Sequence, residues 1–509
     1  MSLLGIDVGT IGCKAVAFSE EGRELSASYR EYDIESPEPG WAVLDSARVW
    51  ERVRQVIREA AGEAESAHGD PVRALAVCSM GEAMVPVTRD RQILGPSIMN
   101  FDSRGSEYVR SLTAFQNDKW LYRINGNTLA NNYGLTKLLW IRDNQPELYE
   151  KADKFVNWGS FVTYMLGAEP VIDHSLANRS LLFDLDSADW SEELLSKSGL
   201  DREKLPKTEP SGKRIGTVSS AIASELGLSP ETAIVTGAHD QVSNALGAGV
   251  IQEGQAMYGM GTFTCIVPVF EQRRPPGGMI KYGFNTEHHS VPGLFSLFIY
   301  HPGGVLVKWF RDTYAAAEHR QAKTEGRDIY PDLFAEVPDK PSRLMVFPAF
   351  STLGPPDFVD DACGVIAGLY LDTTRGEILR GIIEGVTYLL YESVQHLPEV
   401  NIDVSSFIPV GGGSKSDVWI QIAADIFGVP FTRPEITEAG SLGAAILAGV
   451  GTGAFSSHEE AVSKMVRIDA NFEPDMKKHG IYRELFQRYT KLWPLTSDYL
   501  REIARLPEK

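Results

Sequence analysis

Leu3-Leu4-Gly5-Ile6-Asp7-Val8-Gly9-Thr10, followed after four residues by Ala15-Val16-Ala17-Phe18, is the stretch on which the fold turns. The apolar run 3–6 has the make-up of a strand, Asp7 to Thr10 form a turn, and 15–18 is a second strand closed by the polar turn Glu20-Glu21-Gly22. This is a β-hairpin with a Gly-Thr tip. A second hairpin is expected over 256–269, with Gly259-Met260-Gly261-Thr262 at its turn. The chain therefore starts over near its midpoint. Heptads, low-complexity tracts and short solenoid repeats are absent, so the duplicated unit is a whole domain.

Outward from the first hairpin, apolar residues at 49, 50, 53, 56, 57 and 60 have helical spacing, with Asp45 or Ser46 as the cap. Extended runs follow at 74–78 and 84–87. Residues 122–211 mix helices at 135–142 and 155–166 with polar turns near Asp173, Asp184 and Asp189, and read as an insertion. Strand logic returns at Ile234-Val235-Thr236-Gly237-Ala238-His239-Asp240, ahead of a small-residue helix over 241–249. The second half adds a strand at 344–347 and a helix over 377–397 that is apolar on more than one face, as for a helix covered on two sides. A strand at 406–410 then runs into Gly411-Gly412-Gly413-Ser414, followed by a helix at 417–427, a strand at 430–433 and a small-residue helix at 439–449. The class is α/β.

The 509 residues, 56.0 kDa, are too many for one small core and suggest two or three domains. Lys and Arg number 49 against 68 Asp and Glu, a net charge of −19, which opposes nonspecific binding to nucleic acid or an anionic membrane. Any polyanion must be bound by a local site. Cys13, Cys78, Cys265 and Cys363 have no paired spacing and read as reduced, mostly buried thiols. Asp7 interrupts an N-terminal apolar stretch too short for a signal peptide, and no apolar run approaches the ~20 residues of a membrane span. A cytoplasmic location is expected.

Glycine at a hairpin tip removes the Cβ and lets backbone N–H groups approach phosphate oxygens, and threonine adds a hydroxyl. One such tip is ordinary turn chemistry. Two in matching positions, with a third glycine turn at 411–413 before a helix, favour a three-sided polyphosphate cradle. The P-loop, dinucleotide and nucleophile-elbow motifs are missing. His239, His288 and His289 lack the frame of a zinc site and read as ordinary polar or partly buried histidines. Asp7 and Asp240 each follow an apolar strand, where open α/β sheets present catalytic groups. Either could be a turn or capping residue; within the larger pattern one suits hydrated Mg2+ and the other proton acceptance from an attacking hydroxyl.

With these residues in place, the chain resembles the FGGY carbohydrate kinases, xylulokinase-like members of the actin-like ATPase superfamily, nearly end to end. Gly5 to Thr10 with Lys14 is similar to the family's first phosphate loop, and Gly259 to Thr262 to its second. Ser36-Pro37-Glu38-Pro39-Gly40-Trp41 resembles the Pro-Gly-Trp segment, and Asp102-Ser103-Arg104 the Asp-x-Arg element. Gly237 to Gln241 corresponds to the segment with the catalytic aspartate. Gly364 to Leu369 through Glu377, Glu384 and Gly385 tracks the C-terminal signature, and Gly411 to Ser416 the adenosine-binding segment.

The resemblance implies two ribonuclease-H-like domains, 1–248 binding sugar and 249–509 binding nucleotide, with ATP, Mg2+ and a sugar in the cleft. It assigns Asp240 as general base and Asp7 to the metal. Gly9, Thr10, Lys14, Gly261, Thr262, Gly304, Lys308, Gly412, Gly413 and Ser414 fall to ATP, and Glu82, Asp102, Asp173 and Gln241 to the sugar. Asp173 reads equally as a cap ahead of Ser175, and Trp41 and Trp158 as sugar covers or as packing. Glu82 stands where xylulokinases carry histidine, Gln241 replaces a common asparagine, and Asn100 a common tryptophan. A neutral ketose or polyol is the expected acceptor, xylulose first, with ribulose, erythritol and glycerol as alternatives; an ATPase switch without sugar is the rival class. A homodimer is compatible with the family.

Overall fold

The computed structural model describes residues 2–355 and 358–506. Strands β1 (Ser2–Val8) and β2 (Gly12–Phe18) form the first hairpin, with Asp7 opposite Lys14. A third strand, β3 (Glu24–Glu31), continues the antiparallel run. It escapes a hydrophobicity reading because its buried positions are Ser26 and Ser28. Helix α1 (Ser46–His68) begins at Asp45, whose carboxylate accepts the amides of Ala47 and Arg48, and it lays Val49, Val53, Val56 and Ile57 onto β2 and β3. Strand β4 (Val72–Ser79) returns parallel to β1.

An insertion with its own apolar core follows, built from residues such as Phe115, Leu138, Phe155 and Trp190. The helix expected from 155 starts later, as α2 (Trp158–Leu166). Lys154–Asn157 instead pairs antiparallel with Met84–Val87, burying Phe155 and Val156. The chain then re-enters the sheet as β5 (Arg214–Thr217) and β6 (Ala233–Val235), and α3 (Asp240–Gly247) leaves it. The six strands are ordered β5-β6-β4-β1-β2-β3.

The second half repeats this plan. Strands β7 (Gln255–Met260) and β8 (Phe263–Phe270) form the second hairpin; Gly259 lies within β7, so the tip proper is Gly261-Thr262. The short strands β9 (Glu287–His288) and β10 (Phe295–Ser296) extend one edge, and β11 (Ile299–Pro302) pairs with β8. Helix α4 (Gly304–Tyr314) follows, then α5 (Arg375–Val394), which opens with a Thr374/Glu377 capping box and is buried around most of its circumference. Strand β12 (Ser406–Val410), helix α6 (Asp417–Phe427), strand β13 (Phe431–Pro434), helix α7 (Ala439–Thr452) and strand β14 (Ile468–Phe472) follow, and the helices Met476–Tyr489 and Leu492–Ala504 end the half. As β1 runs parallel to β4, so β7 runs parallel to β12, and each sheet carries an antiparallel strand beyond its parallel set. The two halves share one ribonuclease-H-like strand plan.

Helix α7 comes from the second half of the sequence but packs on β1, β4 and α3. Small residues make this possible: a Cβ on Gly5 of β1 would sit 1.8 Å from the Ser441 carbonyl oxygen, and one on Gly247 of α3 1.9 Å from that of Ala439. The Ser243 hydroxyl donates to the Gly440 carbonyl across the same contact, at 2.8 Å. The apolar core here draws on both sheets, with Leu3 and Ala76 on one side and Met257 and Ile408 on the other. Cys13, Cys78 and Cys265 are buried free thiols. Among the described residues no helix is long and apolar enough to cross a membrane.

Candidate active site

Asp240 is the first residue of α3, reached from β6 through Thr236-Gly237-Ala238-His239. The loop is anchored where the Ser79 amide at the end of β4 donates to the Ala238 carbonyl, 3.2 Å away. Asp240 Oδ1 has no hydrogen-bond partner, and His239 Nε2 stands 3.2 Å from it, at ion-pair distance without hydrogen-bond alignment. Enclosure raises the Asp240 carboxyl above the usual range; His239 pulls it down, Glu82 pushes it up, the Gln241 amide lowers it and Glu287 raises it. Gln241 follows as the second residue of α3.

Asp7 closes β1 with the same peculiarity, an Oδ1 without a partner. Its pKa is raised to about 7 by burial first, then by the charges of Asp240 and Glu438, with Lys14 acting the other way. Two carboxyls, each with an unpartnered oxygen, the charge of Asp240 raising the proton affinity of Asp7, make a place where a cation or a proton is favoured. Lys14 Nζ pairs with Glu438 Oε2 at 2.6 Å, tying the hairpin to the start of α7.

The phosphate-loop candidates divide by what their polar groups already do. At the first tip the Gly9 amide donates to the Gly12 carbonyl and the Tyr32 hydroxyl to the Gly9 carbonyl, at 2.9 and 2.6 Å, so Gly9 shapes the turn; Thr10 lies beside it, half-buried. At the second, Gly261 and Thr262 are exposed, and their carbonyls accept the amides of Gly304 and of Gly303 and Val305 at the start of α4. Lys308 is exposed one turn further along that helix. The third glycine turn abuts the second tip: a Cβ on Gly413 would lie 3.0 Å from the Met260 carbonyl oxygen, whereas one on Gly412 meets nothing. Ser414 is buried, with its hydroxyl donated to the Gly411 carbonyl at 2.7 Å.

The sugar-side candidates also separate. Glu82 is buried and ion-paired with Arg179, whose Nε donates to its Oε1 at 3.0 Å, while Asn100 Nδ2 donates to Oε2 at 3.2 Å. It stays electrostatically coupled to Asp240. Asp102 differs: Oδ1 accepts the Arg104 amide and Nε, and Oδ2 accepts the Ala42 amide and an Arg104 guanidinium N–H. Its four acceptor positions are filled, which leaves none for a sugar hydroxyl. Asp173 caps the short helix His174–Asn178, accepting the amides of Ser175 and Leu176, and burial raises its pKa to about 6. Trp158 is fully buried and donates to the Ser97 hydroxyl, which makes it packing; Trp41 lies against the Arg104 guanidinium.

Sequence reasoning missed Arg179 and Glu287 and undervalued His239. Arg179 follows the insertion's short helix, bonds Glu82 and places Nη1 3.6 Å from Glu287 Oε2. Glu287, fully buried on β9, sets Oε1 2.9 Å from His239 Nδ1. Burial opposes charge on His239, but Glu287 and then Asp240 overcome it and raise its pKa to about 9. The Tyr133 and Phe298 rings flank Arg179 at 5.1 and 5.8 Å. The one available signal was the adjacency of Glu287 to the histidine pair. Among the described residues no group of three or more His, Cys, Asp or Glu forms a metal-binding cluster.

Comparison with known proteins places the chain in a family. Residues 2–247 match the N-terminal domain of the FGGY family of carbohydrate kinases and residues 261–452 its C-terminal domain. The chain is 26% identical to a xylulose kinase of Staphylococcus epidermidis over 99% of both chains. It is 30% identical to an autoinducer-2 kinase of Escherichia coli over 95% of this chain and 92% of the other. The crystal structure of xylulose kinase from Rhodospirillum rubrum superposes with a TM-score of 0.85 at 25% identity, covering 98% of this chain and all of that one. Two matched half-domains, relatives aligned from end to end and a shared two-sheet plan lead to one conclusion: this chain belongs to the FGGY family of carbohydrate kinases and is a sugar kinase.

Proposed function

We propose that the protein transfers the γ-phosphoryl group of ATP to a primary hydroxyl of a small neutral sugar, with a pentulose such as xylulose as the favoured acceptor. The observation that carries this reading is the pair Asp7 and Asp240, each with an unpartnered carboxylate oxygen, with the charge of Asp240 felt at Asp7. The acceptor oxygen attacks the γ-phosphorus, its proton passes to an Asp240 oxygen, and the bond to the β-phosphate oxygen breaks to release ADP. Orientation supplies much of the rate, and the base a further ~10²- to 10⁴-fold.

The free Asp7 Oδ1 suits a largely hydrated Mg2+ held through few protein oxygens. Such an ion, when bound, neutralises charge on the transferring phosphates. Around it the exposed Gly261-Thr262 tip and the Gly412 turn offer backbone groups to ATP.

Charge favours a neutral acceptor. Glu82, Glu287 and Asp240 outnumber Arg179 and His239, so an aldonate would enter a site with no spare cation. The 30% identity with an autoinducer-2 kinase supports autoinducer-2 as a second acceptor. ADP release measured across pentuloses, tetritols, glycerol, autoinducer-2 and aldonates, with product identification, tests the proposal. Release that needs a neutral sugar supports it; ATP hydrolysis indifferent to every acceptor overturns it.

A further inference from the structure

The geometry points to His239 as a positioning residue for phosphoryl transfer: Glu287, delivered from the second sheet, holds its ring so that Nε2 stands beside the Asp240 carboxylate and keeps it ready to take a proton. This rests on the function proposed above and adds to it a dependence of the base on the opposite half of the molecule.

Both ring nitrogens face acceptors. Nδ1 is 2.9 Å from Glu287 Oε1 and Nε2 is 3.2 Å from Asp240 Oδ1. Ionised carboxylates only accept, so a ring between two of them carries a proton on each nitrogen. The ring cannot turn away. Phe298 stands edge-on to it with centroids 5.3 Å apart, and the His239 amide donates to the Ser175 hydroxyl at 2.8 Å, which in turn donates to Asp173. Gly81 leaves the space: a Cβ there would lie 3.1 Å from Nε2.

A buried, satisfied histidine capping a helix would look similar in part, but it would not stand beside an orphaned acid. Among the described residues no other donor reaches Asp240 Oδ1. The Nε2 contact is close but unaligned, so the carboxylate is stabilised without being occupied, as a base awaiting a hydroxyl requires. The charged groups facing the ring are Glu287 on β9, Asp240 on α3, and Arg179 and Asp173 at either end of the short helix 174–178, with Glu82 beyond Arg179. Carboxylates outnumber cations, which favours the doubly protonated ring. Glu287 is fully buried and also faces Arg179, so its place on β9 couples the base to the meeting of the two sheets.

His239→Gln and Glu287→Gln test this by pH–rate profiles and by ¹⁵N NMR of the imidazole in the parent. The parent ring is expected to be doubly protonated at pH 7.5. His239→Gln should move the acid limb of the kcat profile upward by about one pH unit, a loss that grows to about tenfold well down that limb. Glu287→Gln should move it the same way by less, because it removes a carboxylate together with the ring's charge. KM for ATP should stay within about twofold, since neither side chain belongs to the phosphate loops. Profiles that superimpose on the parent's, or that drop equally at every pH, overturn the assignment. A neutral parent ring at pH 7.5 overturns it without recourse to any variant. Should the parent release no ADP with any neutral sugar, the proposed function falls and this inference with it; an active parent with unmoved profiles removes the inference alone.

Discussion

The two Gly-Thr tips descend from the same strand plan yet carry opposite chemistry. On β1 the position two residues before the first tip is Asp7, paired in register with Lys14; on β7 the equivalent position is Gly259, paired with Cys265. The first tip is locked by the Tyr32 hydroxyl and concentrates charge near the start of α7. The second carries no charge in register and instead gives its carbonyls to the amino end of α4. Duplication supplied two Gly-Thr turns, and the divergence placed the ionisable group at one and backbone shape at the other.

The contrast is strongest at the matched pair itself. Asp7→Asn should lower kcat by about 10²-fold or more through loss of charge near the transferring group. Gly259→Ala should cost no more than a few-fold, because its Cβ would meet first the flexible end of Met257 at 3.3 Å. Steady-state rates with a sugar acceptor check both, and equal losses would break the comparison. Next is Gly304→Ala, whose Cβ would lie 2.4 Å from the Gly261 carbonyl oxygen and must displace the second tip. It should raise KM for ATP by roughly tenfold while kcat changes less.

A smaller effect falls on stability. The folded-state pKa of Asp7, about 7, lies above the ordinary 3.8, so the folded protein holds a proton that the unfolded chain releases as pH rises through that interval. Stability from this group is greatest below about pH 4 and declines toward pH 7 and above. Asp7→Asn should therefore stabilise the fold at pH 8 by about 1–2 kcal/mol, less than the full shift implies because the site is partly solvated, and by almost nothing at pH 4. Thermal melts at the two pH values measure the difference. The smallest change is expected for Glu438→Gln: the Lys14 pair is partly exposed and is worth about 0–1 kcal/mol, so the melting point should barely move.

The fold was legible wherever apolar spacing and local capping agree. Helix α6 spans the expected 417–427, Asp45 caps α1, and the paired hairpins announce the duplication. Strand β3 was not legible, since serines fill its inward positions. Within the candidate site, Asp7, Asp240 and the glycine turns stood out because each lies at or just beyond the end of a strand. Arg179 and Glu287 meet Glu82 and His239 only through contacts between distant segments, which periodicity does not encode. The partner of Asp102 was near at hand: Arg104, two residues on, folds back onto its carboxylate. Asp173 shows the reverse, with Ser175 beside it marking the capping role that the structure displays.

The inlaid helix α7 has a consequence for how the protein is made. Strands β1 and β4 are complete once Ser79 has been synthesised, but the helix that covers them begins only at Ala439. At ribosomal speeds of ~5–20 residues per second, that apolar face waits roughly 20–70 s for its cover. A nascent chain stalled or truncated before Ala439 would present a bare sheet face built around Gly5, a surface that chaperones and proteases read as unfinished.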